Sequence, residues 1–281
     1  MNKLLVIISD LSIRIFGKEI SYKLRYFHNR GRFPNLKKPK DFSERLIAMI
    51  LAKDFKKYAD YADKVKVREY IKSKGLENIL LKHYAVWDDP KKIQIDNLPD
   101  KFILKANNGC GNHFICKDKS KFDLENAKSS LEKTLNIKYV YETHYNAIKP
   151  LVFAEELIDT GSDSWPTDYK FTCVNGKVDH IFGAVEREVK TKYFTLDLDW
   201  NVLPYTKGEY LPKQYPPKPH KLKEMVEIAS ILCKDFYFVR VDLYEHNDKI
   251  YFGELTFSPW GGVMYSYNDE SLKIIGEKFY L

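Results

Sequence analysis

The sequence predicts an α+β fold built mainly from antiparallel hairpins, on three observations. Two stretches read as strand–turn–strand: residues 168–174 and 177–185 around Asn175-Gly176, and residues 236–243 and 251–257 around His246-Asn247-Asp248. Between them Leu222, Met225, Val226, Ala229 and Leu232 recur at helical spacing, which marks one amphipathic helix over 220–234. The first part of the chain, up to about residue 60, reads instead as helical and basic.

Taken in order, the opening MNKLLVIISDLSIRIF has a short apolar core interrupted at Asp10 and no small-residue cleavage site after it. It reads as an amphipathic helix rather than a signal peptide. No apolar run reaches the length needed to cross a bilayer. Pro34, Pro39 and the lysines around them mark a loop, and Ser43 is expected to cap a helix through Leu46, Ile47, Met49 and Ile50. Residues 62–74 are expected to be a second helix, stopped by Gly75, and 79–86 an apolar strand. A strand ending at Lys105, a loop Asn107-Asn108-Gly109-Cys110-Gly111-Asn112 and a return strand 114–117 follow. Residues 124–135 read as helix, and LVFAEELI, 151–158, as an apolar strand carrying Glu155 and Glu156. A strand over 192–198 turns at Asp199-Trp200-Asn201, a proline-rich connection spans 204–219, and 268–280 is a terminal helix.

The 281 residues are 44% hydrophobic, which excludes wholesale disorder. The formal net charge is +7, with clusters at Lys37, Lys38 and Lys40 and at Lys53, Lys56 and Lys57. Such patches suit anionic lipid or anionic glycan precursors, or are simply a solvated surface. No aromatic–basic recognition motif accompanies them, so nucleic acid is not an expected partner. The cysteines Cys110, Cys116, Cys173 and Cys233 form no CxxC pair and no zinc spacing, as expected of reduced thiols in a cytoplasmic protein.

Three patterns carry chemistry. Alternation puts Arg240 and Asp242 on one face of their strand and Glu254 and Thr256 together on one face of theirs, with Asp242 roughly opposite Glu254 if the turn centres near Asp248. Facing carboxylates repel, so either a proton or a cation sits between them, or the hairpin face is solvated. The glycine loop after Lys105 is neither a Walker loop nor a dinucleotide fingerprint. It reads as a flap whose backbone can approach phosphate oxygens, or as a plain hairpin tip. Glu155 and Glu156 are adjacent in an apolar strand, so one must point inward and needs a partner.

The order of these features resembles the ATP-grasp carboxylate–amine ligases and, more closely, the TupA-like ATP-grasp family, named for teichuronopeptide biosynthesis. NLKKPKDFSER, ADKVKVREYI, VWDD, LPDKFILKANNGCG, DYKFTCVNGK, DFYFVRVDLY and YFGELTFSP carry the resemblance, in order, over about residues 35 to 260. It implies an ATP-grasp fold, two α+β subdomains gripping ATP behind a helical N-terminal extension. The expected division is 1–58, 59–155 with the flap, and 156–281 with the metal-binding hairpin.

The resemblance also implies roles. Lys64, or Lys66 beside it, and Lys105 would hold ATP phosphates, with Gly109 and Gly111 in the flap over them. Glu155, Glu156, Leu157 and Ile158 would hold adenine, and Asp163 or Asp159 the ribose. Asp242 and Glu254 would bind Mg²⁺, with Thr256 where many relatives have an asparagine ligand. Arg240 and Lys105 would be catalytic, and Lys170 and Arg187 would meet an anionic substrate. The implied reaction joins the carboxylate of a uronic-acid-bearing cell-surface glycan, or its precursor, to an amino acid or other amine, at the cytoplasmic side of the membrane. The competing reading is a glycosyltransferase using a nucleotide sugar, with its metal at Asp197-Leu198-Asp199.

Overall fold

A computed structural model describes residues 3–109, 111, 113–161, 166–185 and 191–280. The chain opens with α1 (Lys3–Arg30), broken at Gly17, whose φ of 79° and ψ of 165° are not helical. Among the described residues no helix is long and apolar enough to cross a membrane. Helix α2 (Phe42–Leu51) begins at Asp41, not at Ser43. The Asp41 carboxylate accepts from the Glu44 amide, and Glu44 reaches back to the Asp41 amide, a reciprocal cap that DFSE encodes. Ser43 lies inside the helix, where its hydroxyl accepts from the Met264 amide.

The helix expected over 62–74 starts only at Val67, as α4 (Val67–Ser73), and a separate short α3 (Ala59–Ala62) ends where it was expected to begin. Asp63 breaks it: its carboxylate accepts from the amides of Val65 and Lys66, competing with helical bonding. Lys64 stands in that break, and its amide donates to the carbonyl of Asn107.

A first antiparallel sheet follows, made of β1 (His83–Trp87), β2 (Phe102–Ala106), β3 (His113–Cys116) and β4 (Val152–Glu155), in the order β1-β4-β2-β3. Helix α5 (Leu124–Leu135) covers one face, burying Ala127 and Leu131 against Phe102, Leu104, Val152 and Ala154. The second sheet runs β7-β6-β5-β8-β9: β5 (Asp168–Val174), β6 (Lys177–Val185), β7 (Lys192–Leu196), β8 (Phe238–His246) and β9 (Lys249–Thr256). Helix α6 (Leu222–Leu232) packs on β5, β6 and β8, while α2 packs on α7 (Asp269–Lys278). The second core is larger: Tyr22, Tyr26, Leu46, Phe171, Val241 and Phe279 are buried in one cluster, so the early helices share it with this sheet.

Both expected hairpins form. Asn247 and Asp248 turn β8 into β9 with φ of 49° and 55°, left-handed values that asparagine and aspartate tolerate. The register then shifts between Asp242 and Leu243: Leu243 pairs with Phe252, but Asp242 pairs with Glu254. The extra residue is Gly253, where a Cβ would lie 2.9 Å from both the Asp242 carbonyl oxygen and the Tyr244 ring. This bulge sets Asp242 against Glu254 rather than Gly253.

Candidate active site

A cavity of about 260 Å³ lies where the two sheets face each other. The α3–α4 break supplies Lys64, β2 supplies Lys105 and β4 supplies Glu155. From the second sheet come Lys170 on β5, Asp242 on β8 and Glu254 on β9.

On the first sheet Glu155 pairs with both His83 and Ile103 across the strands, which brings His83 and Lys105 to the Glu155 face. One Glu155 carboxylate oxygen accepts from Lys105 Nζ at 2.6 Å, and the other is 3.3 Å from His83 Nε2. Burial presses the Glu155 pKa upward, but Lys105 and His83 outweigh it and hold the carboxyl down at about 2. Glu155 is thus the inward glutamate of the pair. Glu156 turns away, its amide donating to the Lys82 carbonyl while its carboxylate accepts from the Lys82 amide.

On the second sheet one face carries the rest. Asp242 is 1% exposed, and both its oxygens are engaged. Arg240 donates to them through Nε and a terminal nitrogen, each at 2.6 Å, and Lys170 Nζ bridges Asp242 and Asp168. The same Arg240 nitrogen reaches Glu254 at 3.3 Å and Thr256 Oγ1 at 3.0 Å, and Thr256 donates to Glu254 at 2.9 Å. Lys64 Nζ completes the set, 3.4 Å from the other Glu254 oxygen. Burial would raise the Glu254 pKa; Lys64, Arg240 and Lys170 reverse this and hold it at about 2. For Asp242, burial with the Asp168 carboxylate beside it presses the pKa up against the pull of Arg240 and Lys170.

Lys64 also ties the glycine loop to this cluster, since its Nζ donates to the Gly109 carbonyl at 2.6 Å. Gly109 has φ of 75°, and a Cβ there would fall 1.6 Å from the Tyr139 hydroxyl, so glycine is required twice over. Asn107 fixes the loop base, accepting from the Leu151 amide and donating to the Lys149 carbonyl.

Lys64, Lys105, Gly111, Glu155, Lys170, Asp242 and Glu254 therefore meet at one cavity, with Arg240 and Thr256 bonded directly behind its carboxylates. Leu157 and Ile158 continue, half-buried, from the end of β4. Asp163 and Arg187 lie outside the described residues. Asp159 pairs with Lys101 at 2.5 Å, and Lys66 pairs with Asp60 at the surface, away from the cavity. The Asp197 carboxylate accepts from the amides of Asp199 and Asn201 and from the Asn201 side chain, so it builds a turn after β7. Sequence reasoning passed over Arg68, His83, His113, Asp168 and Tyr244 as site residues. Alternation with Lys170 was a signal for Asp168, and helical spacing from Lys64 one for Arg68.

Residues 44–280 match a family model described as TupA-like ATPgrasp. No curated protein matches the chain. Among solved structures the chain is similar to D-alanine–D-alanine ligase from Helicobacter pylori, at 15% identity and a TM-score of 0.43, covering 78% of this chain and 61% of that one. It is similar to the Bacillus anthracis enzyme at 16% identity and TM-score 0.44, covering 78% and 64%. D-cycloserine synthetase DcsG is 12% identical, with TM-score 0.44 and coverage of 79% and 71%. The chain spans less than two thirds of the length of the two D-alanine ligases.

Proposed function

The chain belongs to the TupA-like ATP-grasp family and has the ATP-grasp fold, and from that membership we propose that it is an ATP-dependent carboxylate–amine ligase. The observation that carries this is the convergence of Lys64, from the α3–α4 break, and Lys105, Asp242 and Glu254, from three strands, on one cavity. Lys64 and Lys105 hold the ATP phosphates, and Gly109 and Gly111 close over them. Glu155, through Lys105, fixes the ammonium in position, and the strand from Glu155 to Ile158 offers backbone and apolar contacts to adenine.

The oxygen donors Asp242, Glu254 and Thr256 fit a hard divalent cation such as Mg²⁺. In this structure Lys64, Lys170 and Arg240 place positive nitrogens on those same oxygens, so the donors are already arranged around cations. When bound, Mg²⁺ supplies charge neutralisation for the phosphates. Lys170, expected at an anionic substrate, is assigned here to steadying Asp242.

In the reaction, an oxygen of the substrate carboxylate attacks the γ-phosphorus, the bond to the bridging β–γ oxygen breaks and ADP leaves. The amine then attacks the acyl carbon of the acyl phosphate, phosphate departs, and the nitrogen sheds a proton as the amide forms. Arg240 and Lys105 stabilise charge on the transferring group, and the closed loop keeps water from the acyl phosphate. The carboxylate is assigned to a uronic-acid residue of a cell-surface glycan or its lipid-linked precursor, and the amine to an amino acid. A lipid-linked precursor would place the enzyme at the cytoplasmic face of a membrane.

The test is phosphate release from ATP in the presence of uronic-acid oligosaccharides and amino acids. Release that requires both, with an amide in the product, is expected. Melting-temperature shifts with UDP-sugars but none with ATP would overturn the reading in favour of a sugar transferase.

A further inference from the structure

Beyond Gly17, α1 has two apolar faces, and among the described residues only one is packed. Beyond Gly17 its inner face is fixed to the second core. Tyr22 and Tyr26 are fully buried, with hydroxyls donating to the Tyr141 carbonyl and the Asp41 carboxylate. Arg25 donates to the carbonyls of Trp260 and Gly261, and Arg30 to those of Met264 and Tyr267. On the opposite side, Ile20, Leu24 and Phe27 fall within about 60° of one another at helical spacing. Phe33 stacks on Phe27 at its end, 4.7 Å between ring centroids, and Phe16, on the other side of the Gly17 break, is exposed as well. These five side chains are 43 to 59% exposed. A helix normally turns a polar face to water, so an unpartnered stripe of this kind marks a docking surface.

Charge identifies what docks. Residues 13–40 hold nine Lys and Arg and one acidic residue, Glu19; Lys18, Arg25, Arg30 and Arg32 bond to the body of the protein, Lys23 pairs with Glu19 at 2.6 Å, and among the described side chains the outward charge lies in the lysine loop. Lys37, Lys38 and Lys40 are exposed in the loop that Phe33 folds back along the stripe. Two copies joined through the stripe would press these basic edges together. An anionic bilayer accommodates both features: its acyl boundary takes the apolar stripe and its headgroups take the lysines. In sequence the apolar character continues before Gly17, through Leu4-Leu5-Val6-Ile7-Ile8.

We propose that the outer face of α1 and the lysine loop after it form a docking surface for an anionic lipid bilayer, with the helix lying in the interface rather than crossing it. This specifies the membrane-side placement given above and is independent of the ligase chemistry.

The experiment is co-sedimentation of the full chain with vesicles of phosphatidylcholine alone or mixed with phosphatidylglycerol. The variants are Ile20→Ser with Leu24→Ser and Phe27→Ser, and Lys37→Gln with Lys38→Gln and Lys40→Gln. Wild type is expected to bind the mixed vesicles and to lose binding as salt rises. Each triple variant is expected to bind about ten-fold more weakly or worse. Because all six side chains are exposed, the variants should melt as wild type does and keep its ATP-induced shift, so lipid binding and nucleotide binding fail separately. Absent vesicle binding, or binding unaltered in the apolar variant, overturns the proposal. A wild-type dimer made monomeric by the apolar variant, without lipid binding, overturns it in favour of a second copy.

Discussion

Asp242 and Glu254 show how much two residues can announce from sequence. Strand alternation and a turn near Asp248 placed them roughly opposite each other, which the bulge at Gly253 completes, and the repulsion of facing carboxylates asked for a proton, a cation or solvent between them. Sequence could not say which cations stand there now, because Lys64, Lys170 and Arg240 reach the pair only through the tertiary fold. Asp242→Asn keeps the shape and removes a charge. It is expected to leave the fold intact and to slow Mg²⁺-dependent ATP turnover by roughly a hundred-fold or more; unchanged turnover would exclude the metal role. Lys105→Ala is expected to weaken ATP binding more than Lys117→Ala, since Lys105 faces the cavity while Lys117 is exposed beyond β3; calorimetric titration of both variants decides it. Glu155 carries a pH signature. Its folded pKa, about 2, lies below the usual glutamate value, so its pairing stabilises the fold fully above the unfolded pKa, about 4.3, and is lost as pH falls towards about 2. Glu155→Gln should therefore lower the melting temperature at neutral pH and flatten its decline across that acid window, as read by thermal melts between those limits.

At the scale of elements, the hairpins were the legible part. Asn175-Gly176 and Asn247-Asp248 have the local chemistry that a tight turn needs, so the strands on either side fall into place without tertiary information. The departures are also local, but they turn on single side chains competing with a periodic pattern. Asp41 takes the cap from Ser43 because Glu44 stands three residues after it. Asp63 breaks a stretch whose apolar spacing reads as one helix, and that break is what delivers Lys64 to the glycine loop. The bulge at Gly253 had one sequence signal, a glycine inside a strand, and its register consequence became visible only with β8 alongside. Gly253→Ala forces a Cβ against the Asp242 carbonyl oxygen and the Tyr244 ring. The expected cost is about 1–3 kcal/mol of stability, with a loss of ATP turnover larger than that destabilisation explains. A variant that melts lower yet turns over normally would show that the Asp242–Glu254 register does not depend on the bulge.

Across the whole molecule, the first sheet and α5 keep a core of their own, with buried members between residues 93 and 154, while residues 22–79 share the core of the second sheet. We propose 1–58, 59–155 and 156–281 as the working division, with the nucleotide held between the two cores. No single segment reveals that cavity, because its lining is contributed by both sheets. Among the described residues, Arg68 aside, whose guanidinium donates to the Leu81 carbonyl, its charges are paired without ligand: Glu155, Asp168, Asp242 and Glu254 face Lys64, Lys105, Lys170 and Arg240. Each of these four cations already has a carboxylate, so the triphosphate of ATP adds negative charge that they cannot neutralise without abandoning their partners. ATP should therefore bind well only when it brings divalent cation with it, whereas AMP, with far less charge to place, should depend on Mg²⁺ little. Titrating each nucleotide calorimetrically with Mg²⁺ and again with a chelator tests this. The expected loss of affinity on chelation is about ten-fold or more for ATP and small for AMP. Equal losses would mean that the ion supports the protein rather than the phosphates, and no loss for ATP would mean that Lys64 and Lys105 leave their carboxylates to meet the phosphates unaided.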